Sequence, residues 1–187
     1  MAYNKIKQMN YTLIVGLGNP GEEYENTYHN VGFLALLAAK KSIEAAATET
    51  EAPFERYKNS FEYAKCGALA FVRPLTFMNE SGRAVREAAR MFHAKPDEIF
   101  VLHDDSDLTV GAIKISVGQN AAGHHGVESI IESLGSNEFT RARIGIRPAN
   151  EVIRKKAGEF VLKPIKKSDH AALEKVFEEI IKKIKAE

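Results

Sequence analysis

The feature that most constrains the fold is a short apolar run near the start of the chain. Residues 11–17, YTLIVGL, are rich in β-branched side chains and are bounded by glycine. Such a run is typical of a strand that is buried on both faces, and strands of this kind belong to parallel sheets covered by helices on both sides. The sequence therefore predicts an α/β fold.

Further strand and helix patterns alternate along the chain. Strands are predicted over Phe61–Cys66, residues 69–72, residues 99–102, Ile113–Val117 and residues 140–146. Helices are predicted from about Asn30 (with Asn30 as the N-cap), after Ser81, within residues 123–135 and after Ser168. The pair Gly67-Ala68 signals a hairpin, which adds an antiparallel component. We expect one α/β domain over residues 1–187, with a mixed central β-sheet flanked by helices.

The composition excludes several classes of protein. Apolar residues make up 44% of the 187 residues and charged residues 27%, both near globular averages. No apolar run approaches the roughly 18 residues that a membrane-spanning helix needs, and the first ten residues lack the apolar core of a signal peptide. The single cysteine, Cys66, cannot form a disulfide framework or a thiolate metal cage. We expect a cytoplasmic, enzyme-like protein.

The hexapeptide GLGNPG, residues 16–21, matches the glycine pattern of dinucleotide-binding loops. A working loop of that type opens directly into a helix, and a second strand then presents an acidic residue for the ribose. Here the polar run of residues 22–30 separates the glycines from the helical pattern, and no apolar strand follows that helix. A tight turn is the simpler role for the glycines, but it leaves three residues unexplained: Asn19, Tyr24 and His29.

Polar side chains follow three of the predicted strands. They lie at residues 18–19, 73–79 and 103–105. Open α/β sheets carry their sites beyond the carboxyl ends of the strands. The sequence therefore predicts that these three segments meet at one site.

A metal site is one possible chemistry for these residues. The segment HDDSD, residues 103–107, offers carboxylates and an imidazole, and further imidazoles are present at His29, His124 and His125. The spacing argues against such a site, because alternate residues of a strand face opposite ways and adjacent histidines cannot easily point at one ion. We expect neither a metal nor a cofactor.

The remaining chemistry is water activated by a histidine, since no G-x-S-x-G nucleophile motif is present. A neutral imidazole with a pKa of about 6.5 is a competent base when a neighbour fixes its tautomer and stabilises the imidazolium. Asp104, at a strand end, is a candidate for that neighbour, and His29 lies in a loop that follows another strand. The amides of Asn19 and Asn79 can hold a carbonyl or donate to a developing oxyanion.

Charge is concentrated in one stretch, although the net charge is only +1. Residues 141–167 contain nine basic residues and two acidic ones. The basic residues are Arg141, Arg143, Arg147, Arg154, Lys155, Lys156, Lys163, Lys166 and Lys167. Such a surface attracts phosphates, so it favours a polyanionic partner over the alternative of an ordinary solvated face.

Five sequence blocks occur in order along most of the chain. They read LIVGLGNPGEEYENTYHNVGF, RPLTFMNESG, HDDSDLTVG, GHHGVESII, and RARIGIRP with GEFVL. In these blocks the chain resembles the bacterial-type peptidyl-tRNA hydrolases. The resemblance implies hydrolysis of the ester between the carboxyl group of a peptide and the terminal ribose of tRNA. It also implies a metal-free monomer built on a mixed sheet with flanking helices.

Two residues match the catalytic pair of that family. His29, in YHN, matches the general base, and Asp104, the first aspartate of HDDSD, matches the carboxylate that keeps the base ready to accept a proton. Asn19, in GNPG, matches the residue linked to telling a blocked amino group, as in peptidyl-tRNA, from a free one. These roles agree with the chemistry argued from the residues alone.

Other positions match residues that bind substrate. Tyr24, Phe77 and Asn79 match positions that contact the acceptor end of the tRNA or the peptide, with interior packing as the alternative for Phe77. One position departs from the family, because the loop that usually ends in His-Asn-Gly reads GHHG at residues 123–126. Either His125 replaces the usual asparagine in holding substrate and water, or the water is positioned differently.

The residues and the resemblance together predict a mechanism. His29, held by Asp104, removes a proton from the water that attacks the ester carbonyl, and no acyl-enzyme forms. The competing class is a non-catalytic RNA-binding or RNA-processing factor on the same scaffold, which the replacement at His125 keeps open.

Overall fold

The computed structural model describes residues 11–47, 52–148, 158 and 160–186. Its strands are β1 (Leu13–Gly16), β2 (Glu55–Tyr57), β3 (Phe61–Cys66), β4 (Leu69–Pro74), β5 (Ile99–Thr109), β6 (Ile113–Val117) and β7 (Thr140–Arg147). Its helices are α1 (Val31–Ala47), α2 (Ser81–Met91), α3 (His125–Leu134) and α4 (Lys167–Lys185). None of the helices in the described ranges is long and apolar enough to cross a membrane.

The strands form one seven-stranded sheet in the order β2-β3-β4-β1-β5-β7-β6. The four strands β4, β1, β5 and β7 run parallel, while β2 and β3 at one edge and β6 at the other are antiparallel to their neighbours. This confirms the predicted α/β class with a mixed sheet, and it confirms the hairpin at residues 67–68. The sequence pattern does not predict the short edge strand β2.

Helices cover both faces of the sheet and give it two apolar layers. On one face, α1 and α4 pack over the side chains of Ile14 and Phe100. On the other face, α2 and α3 pack over Leu13, Val15 and Val101. Successive residues of β1 therefore point into opposite layers, and all of them are buried, as the apolar run of residues 11–17 predicts.

Strand β5 is much longer than the predicted strand of residues 99–102. It continues through HDDSDLT to Thr109, because β7 pairs with it alongside residues 100–105 and again at Thr109. The polar residues in this extension are tolerated because they have partners. Asp105, for example, accepts a hydrogen bond from Arg143 Nε on β7 at 2.5 Å.

The glycines of GLGNPG allow helix α1 to pack closely against the start of the sheet. A Cβ atom on Gly16 would lie 2.6 Å from the carbonyl oxygen of Gly32, and one on Gly18 would lie 2.7 Å from the Phe33 ring. Helix α1 begins only at Val31, well beyond these glycines. The helix therefore does not open directly out of the glycine turn, as a dinucleotide-binding loop requires, and the dinucleotide interpretation is rejected.

Candidate active site

The carboxyl ends of three adjacent parallel strands meet at one edge of the sheet. Asn19 follows β1, and the 3-10 turn Met78–Glu80 follows β4. The amide of Met78 donates a hydrogen bond to Asn19 Oδ1 at 2.9 Å. Asp104 is part of β5, the neighbour of β1 on the other side. The predicted meeting of three strand ends is therefore confirmed.

Asn30 ties the loop that carries His29 to the end of β1. Its Oδ1 accepts a hydrogen bond from the amide of Asn19 at 2.8 Å, and its Nδ2 donates to the carbonyl of Asn19 at 2.9 Å. Helix α1 begins at the next residue, so Asn30 is at the predicted N-cap position, and its side chain bonds to Asn19. The two bonds from Asn30 hold the backbone of Asn19, and the bond from the Met78 amide holds its side chain.

His29 and Asp104 form a hydrogen-bonded pair. His29 Nδ1 lies 2.8 Å from Asp104 Oδ1, and the side chains are 15% and 4% exposed. Burial lowers the pKa of His29, but the Asp104 carboxylate outweighs it and raises that pKa above its ordinary value. Burial raises the pKa of Asp104, but the neighbouring imidazoles of His29 and His124 bring it well below its ordinary range. Asp104 is therefore ionised and holds the proton of His29 on Nδ1, which leaves Nε2 as a lone-pair acceptor.

A second histidine, His124, shares the same carboxylate oxygen. Its Nε2 lies 2.9 Å from Asp104 Oδ1, and its Nδ1 accepts the amide of Val127 at 3.3 Å as the N-cap of α3. The two bonds together require the proton on Nε2, because Nδ1 faces a donor. His124 thus supports Asp104 and is not a second base.

A third histidine, His103, lies behind this pair. It is 2% exposed, its Nδ1 lies 2.7 Å from the backbone carbonyl of Asp104, and its ring meets His124 edge-on with centroids 4.7 Å apart. Burial, reinforced by the electrostatic effect of the nearby His124, holds the pKa of His103 well below its usual value. A neutral ring in this place adds no second positive charge beside Asp104.

His125 is far more exposed than His124. Its side chain is 77% exposed, and its Nδ1 lies 3.6 Å from Glu128 Oε2. It borders a cavity of about 170 Å³ that His29, Asp104 and His124 also line. His125, the predicted substrate-binding residue, therefore lies at the exposed edge of the cavity. Its neighbour His124, which the sequence pattern does not single out, contacts Asp104.

The other predicted substrate residues do not line this cavity. Asn19 instead lines a second cavity, of about 440 Å³. Phe77 is 56% exposed, which rules out the alternative that it packs in the interior. Asn79 is exposed in the turn Met78–Glu80, and Tyr24 is half-buried in the turn Glu22–Tyr24 between Asn19 and His29. Among the described residues, the Nδ2 group of Asn19 has no hydrogen-bond acceptor, so it is available to a ligand.

Three possible metal ligands do converge here, which the spacing argument does not foresee. The nitrogen atoms of His29 and His124 and an oxygen of Asp104 lie within 4.8 Å of one another. A neutral histidine that binds a metal through Nε2 carries its proton on Nδ1 and donates it to a nearby acceptor. In His124 that nitrogen receives the Val127 amide instead. The hydrogen bonds present therefore do not fit a metal ion.

The basic stretch of residues 141–167 is less exposed than its sequence suggests. Arg141 is 1% exposed and donates to the carbonyls of Gln119 and Asn120, so the expectation that it faces a partner is wrong. Arg143 is paired with Asp105, and Arg147 is largely buried. Arg154, Lys155 and Lys156 lie outside the described residues. The lysines that the structure leaves exposed are Lys163, Lys166 and Lys167.

Comparison with known proteins agrees with this geometry. A family model described as peptidyl-tRNA hydrolase matches residues 13–186. The chain is 37% identical over 169 residues to a peptidyl-tRNA hydrolase of Lactobacillus johnsonii, covering 89% of this chain and 86% of the relative. It is 37% identical over 178 residues to that of Aquifex aeolicus, covering 94% and 86%.

A similar solved structure leads to the same group of proteins. The crystal structure of peptidyl-tRNA hydrolase from Acinetobacter baumannii matches with a TM-score of 0.75 and 26% sequence identity, covering 95% of this chain and 88% of that one. The sequence match and the fold match each span nearly the whole chain. The chain therefore belongs to the peptidyl-tRNA hydrolase family.

Proposed function

We propose that this protein hydrolyses the ester between peptide and tRNA in peptidyl-tRNA and releases tRNA for reuse. His29 Nε2 takes a proton from water, and the resulting hydroxide attacks the ester carbonyl. The tetrahedral intermediate then expels the ribose oxygen, which takes up a proton, and the peptide leaves as a carboxylic acid. No acyl-enzyme forms, because among the described residues no serine or cysteine is hydrogen-bonded to His29, although Ser106 lines the same cavity.

The observation that carries this proposal is the His29–Asp104 pair. The 2.8 Å bond fixes the tautomer of His29, and the ionised carboxylate stabilises the imidazolium that forms when the proton is taken. His124 holds the same oxygen from the other side and keeps the carboxylate in place. The remaining nitrogen of His29 borders a cavity that can admit water and the ester group.

Substrate binding is assigned to the residues around the pair. The free Nδ2 group of Asn19 suits the blocked amino end or a carbonyl of the peptide. Asn79 and His125 are proposed to hold the peptide carbonyl and the water, and Tyr24 and Phe77 to contact the acceptor end of the tRNA or the peptide. The exposure of Phe77 supports this role, since an exposed aromatic ring offers a stacking surface for a base.

We further propose that the protein acts as a monomer in the cytoplasm, where peptidyl-tRNA is formed, and that it needs no membrane, metal or cofactor. The hydrogen bond from Val127 to His124 supports the metal-free mechanism. The alternative of a non-catalytic RNA-binding factor needs no aligned base and carboxylate. The close His29–Asp104 bond favours the enzyme.

Turnover of an N-blocked aminoacyl-tRNA tests the proposal, with unblocked aminoacyl-tRNA as the matched control. We expect hydrolysis of the blocked substrate alone, at the same rate with and without EDTA, and direct incorporation of ¹⁸O from labelled water into the released acid. His29→Ala should lose roughly 10²–10⁴-fold in kcat and still bind tRNA. Binding without turnover would favour the RNA factor, and turnover that EDTA abolishes would favour a metalloenzyme.

A further inference from the structure

The catalytic pair joins a rigid element to an irregular one. Asp104 is buried in β5, which pairs with β1 and with β7. His29 is the middle residue of a 3-10 turn, Tyr28–Asn30, in a long loop. Because Asp104 has little freedom to move, the alignment of the pair depends on what holds this turn.

Backbone hydrogen bonds hold the turn against residues 160–166, which we call the strap. The amide of His29 donates to the carbonyl of Val161 at 2.8 Å, and the amide of Tyr28 donates to that of Lys163 at 3.2 Å. The strap has no helix of its own and leads directly into α4. The strap therefore holds the backbone of His29 from one side, and the bonds from Asn30 to Asn19 hold the turn from the other.

A partly buried hydrogen bond joins the start of α4 to the same turn. The hydroxyl of Tyr28, a residue that is 3% exposed, donates to Asp169 Oδ2 at 2.5 Å and accepts the amide of Lys166 at 3.3 Å. Asp169 lies in the first turn of α4, where a carboxylate is favoured by the helix dipole. Burial, together with the bond to Asp169, raises the pKa of Tyr28 to about 12, so the hydroxyl keeps its proton at neutral pH.

We propose that Tyr28 and Asp169 are positioning residues for His29, an inference that rests on the hydrolytic function proposed above. Their hydrogen bond fixes the strap beside the turn, and the strap holds the backbone of His29. Apolar side chains such as Leu173 and Val176 already dock α4 against the core. Loss of the hydroxyl therefore leaves the helix packed and changes the alignment of the base.

A small shift of a catalytic base has a large effect on rate. Catalytic groups need to stay within about 0.5 Å of their productive geometry. A misplacement of about 1 Å costs roughly a hundredfold in rate. The residues proposed above to hold the peptide and the ester lie outside the strap and the turn, so the shift lowers kcat more than it raises KM.

The test compares two tyrosine-to-phenylalanine substitutions that each remove one donated hydrogen bond. Tyr28→Phe removes the bond to Asp169, and Tyr63→Phe removes a bond of 2.6 Å to Glu55 between β2 and β3, away from the site. We expect Tyr28→Phe to lower kcat by roughly tenfold to a hundredfold with KM changed less than about twofold. Tyr63→Phe should keep the kcat of the unmodified protein.

The titration of the His29 imidazole, followed by NMR in the full-length protein without substrate, gives a readout that needs no turnover. Burial lowers the pKa of His29 and the Asp104 carboxylate raises it, so misalignment should lower that pKa in Tyr28→Phe and not in Tyr63→Phe. If the unmodified protein failed to turn over substrate, the proposed function would fall. The positioning role would then be decided by this titration alone.

A third variant, Asp169→Ala, and the double variant that combines it with Tyr28→Phe complete the test. Asp169→Ala should reproduce the effect of Tyr28→Phe, and the double variant should be no slower than either single variant, because both remove the same bond. The proposal is overturned by additive losses in the double variant, or by an unchanged kcat together with an unchanged His29 titration in Tyr28→Phe. A loss of activity that only follows the unfolded fraction in a melting experiment overturns it as well.

Discussion

At the scale of single residues, the site depends on one carboxylate oxygen that serves two imidazoles. Asp104 Oδ1 accepts hydrogen bonds from His29 at 2.8 Å and from His124 at 2.9 Å. The two rings are not equivalent, because the second nitrogen of His124 receives the Val127 amide while that of His29 borders the cavity. Because α3 begins directly after His124, His124 serves as its N-cap and His29 is left to act as the base.

The pH dependence of activity should report the rise in the pKa of His29 that Asp104 causes. The base must be unprotonated, and its raised pKa places the acidic limb of kcat/KM above the ordinary histidine value of about 6.5. In Asp104→Asn only burial remains, which lowers that pKa, so the limb should move to lower pH while the rate falls. A pH–rate profile checks this, with Asp107→Asn on the same strand as the control. A limb that does not move contradicts the assignment.

The adjacent histidines should respond to substitution in different ways. His124→Ala removes a donor to Asp104 and the N-cap of α3, so we expect a lower kcat and about 1 kcal/mol less free energy of unfolding. His125→Ala should change the free energy of unfolding by less than about 0.5 kcal/mol, because the side chain is exposed, and it should raise KM. Steady-state kinetics and urea denaturation measure both, and the reverse pattern would exchange the two roles.

At the scale of elements, helix α1 carries a buried ion pair on its core-facing side. Lys40 Nζ lies 2.9 Å from the Glu44 carboxylate, and Glu44 also accepts the amide of Ala52 at 3.1 Å. Both side chains are about as buried as the apolar core around them. The pair is therefore stable only as a unit, because either charge alone would be buried without a counter-ion.

Replacing one partner of this ion pair should lower the free energy of unfolding more than replacing both partners. We expect Lys40→Met to reduce the free energy of unfolding by about 3–5 kcal/mol, because the Glu44 carboxylate is left buried and unpaired. Lys40→Met combined with Glu44→Leu should be more stable than that single variant. Urea denaturation of the two variants and of Glu44→Leu alone forms a double-mutant cycle. Simple additivity would show that the two charges do not depend on each other.

The elements that local sequence determines are predicted correctly, and those that depend on distant partners are not. Strand β1, the hairpin of β3 and β4, and helix α3 with its left-handed Gly135 follow from apolar patterns and turn residues. The extension of β5 needs the pairing with β7, which the sequence does not display. Helix starts and turns are local events, whereas strand lengths are set by neighbours that lie far away along the chain.

The candidate site divides in the same way. The conjunction of His29 and Asp104 is predicted from strand ends and from the resemblance, and their side chains are in contact. The inward direction of His124 is not predicted, because it depends on whether α3 begins at residue 124 or 125, and a sequence pattern defines a helix boundary only to within one or two residues. The burial of Arg141 is missed because its partners are backbone carbonyls, which every residue has.

At the scale of the whole molecule, the three exposed lysines of the basic stretch lie at, or just before, the N-terminal end of α4. Lys163 lies in the strap that holds His29 and Lys167 directly follows it, whereas Lys185 Nζ contacts Ser42 near the far end of α1. Helices α1 and α4 therefore run side by side in the same direction, with their N-terminal ends near the site. A polyanion that delivers its ester to His29 meets these lysines at the same end.

The salt dependence of tRNA binding should distinguish the lysines near the site from those at the other end of α1 and α4. Replacing Lys163 and Lys167 by glutamine should flatten the slope of log K against log salt for tRNA binding, by roughly 0.7–0.9 for each phosphate that the protein no longer neutralises. The matched control replaces Lys41 and Lys182, which are exposed toward the other end of the same two helices. Filter binding of tRNA over a salt series measures both. Equal slopes in the two variants would exclude this surface from tRNA binding.

The bond between the amide of His29 and the carbonyl of Val161 also bears on how the protein is made. During translation every growing chain is itself esterified to a tRNA, and so is chemically a substrate of the kind proposed here. The base of this chain reaches its place only after residues 160–166 have left the ribosome and folded back onto the turn. The base is therefore not aligned with Asp104 while the residues before the strap are being made.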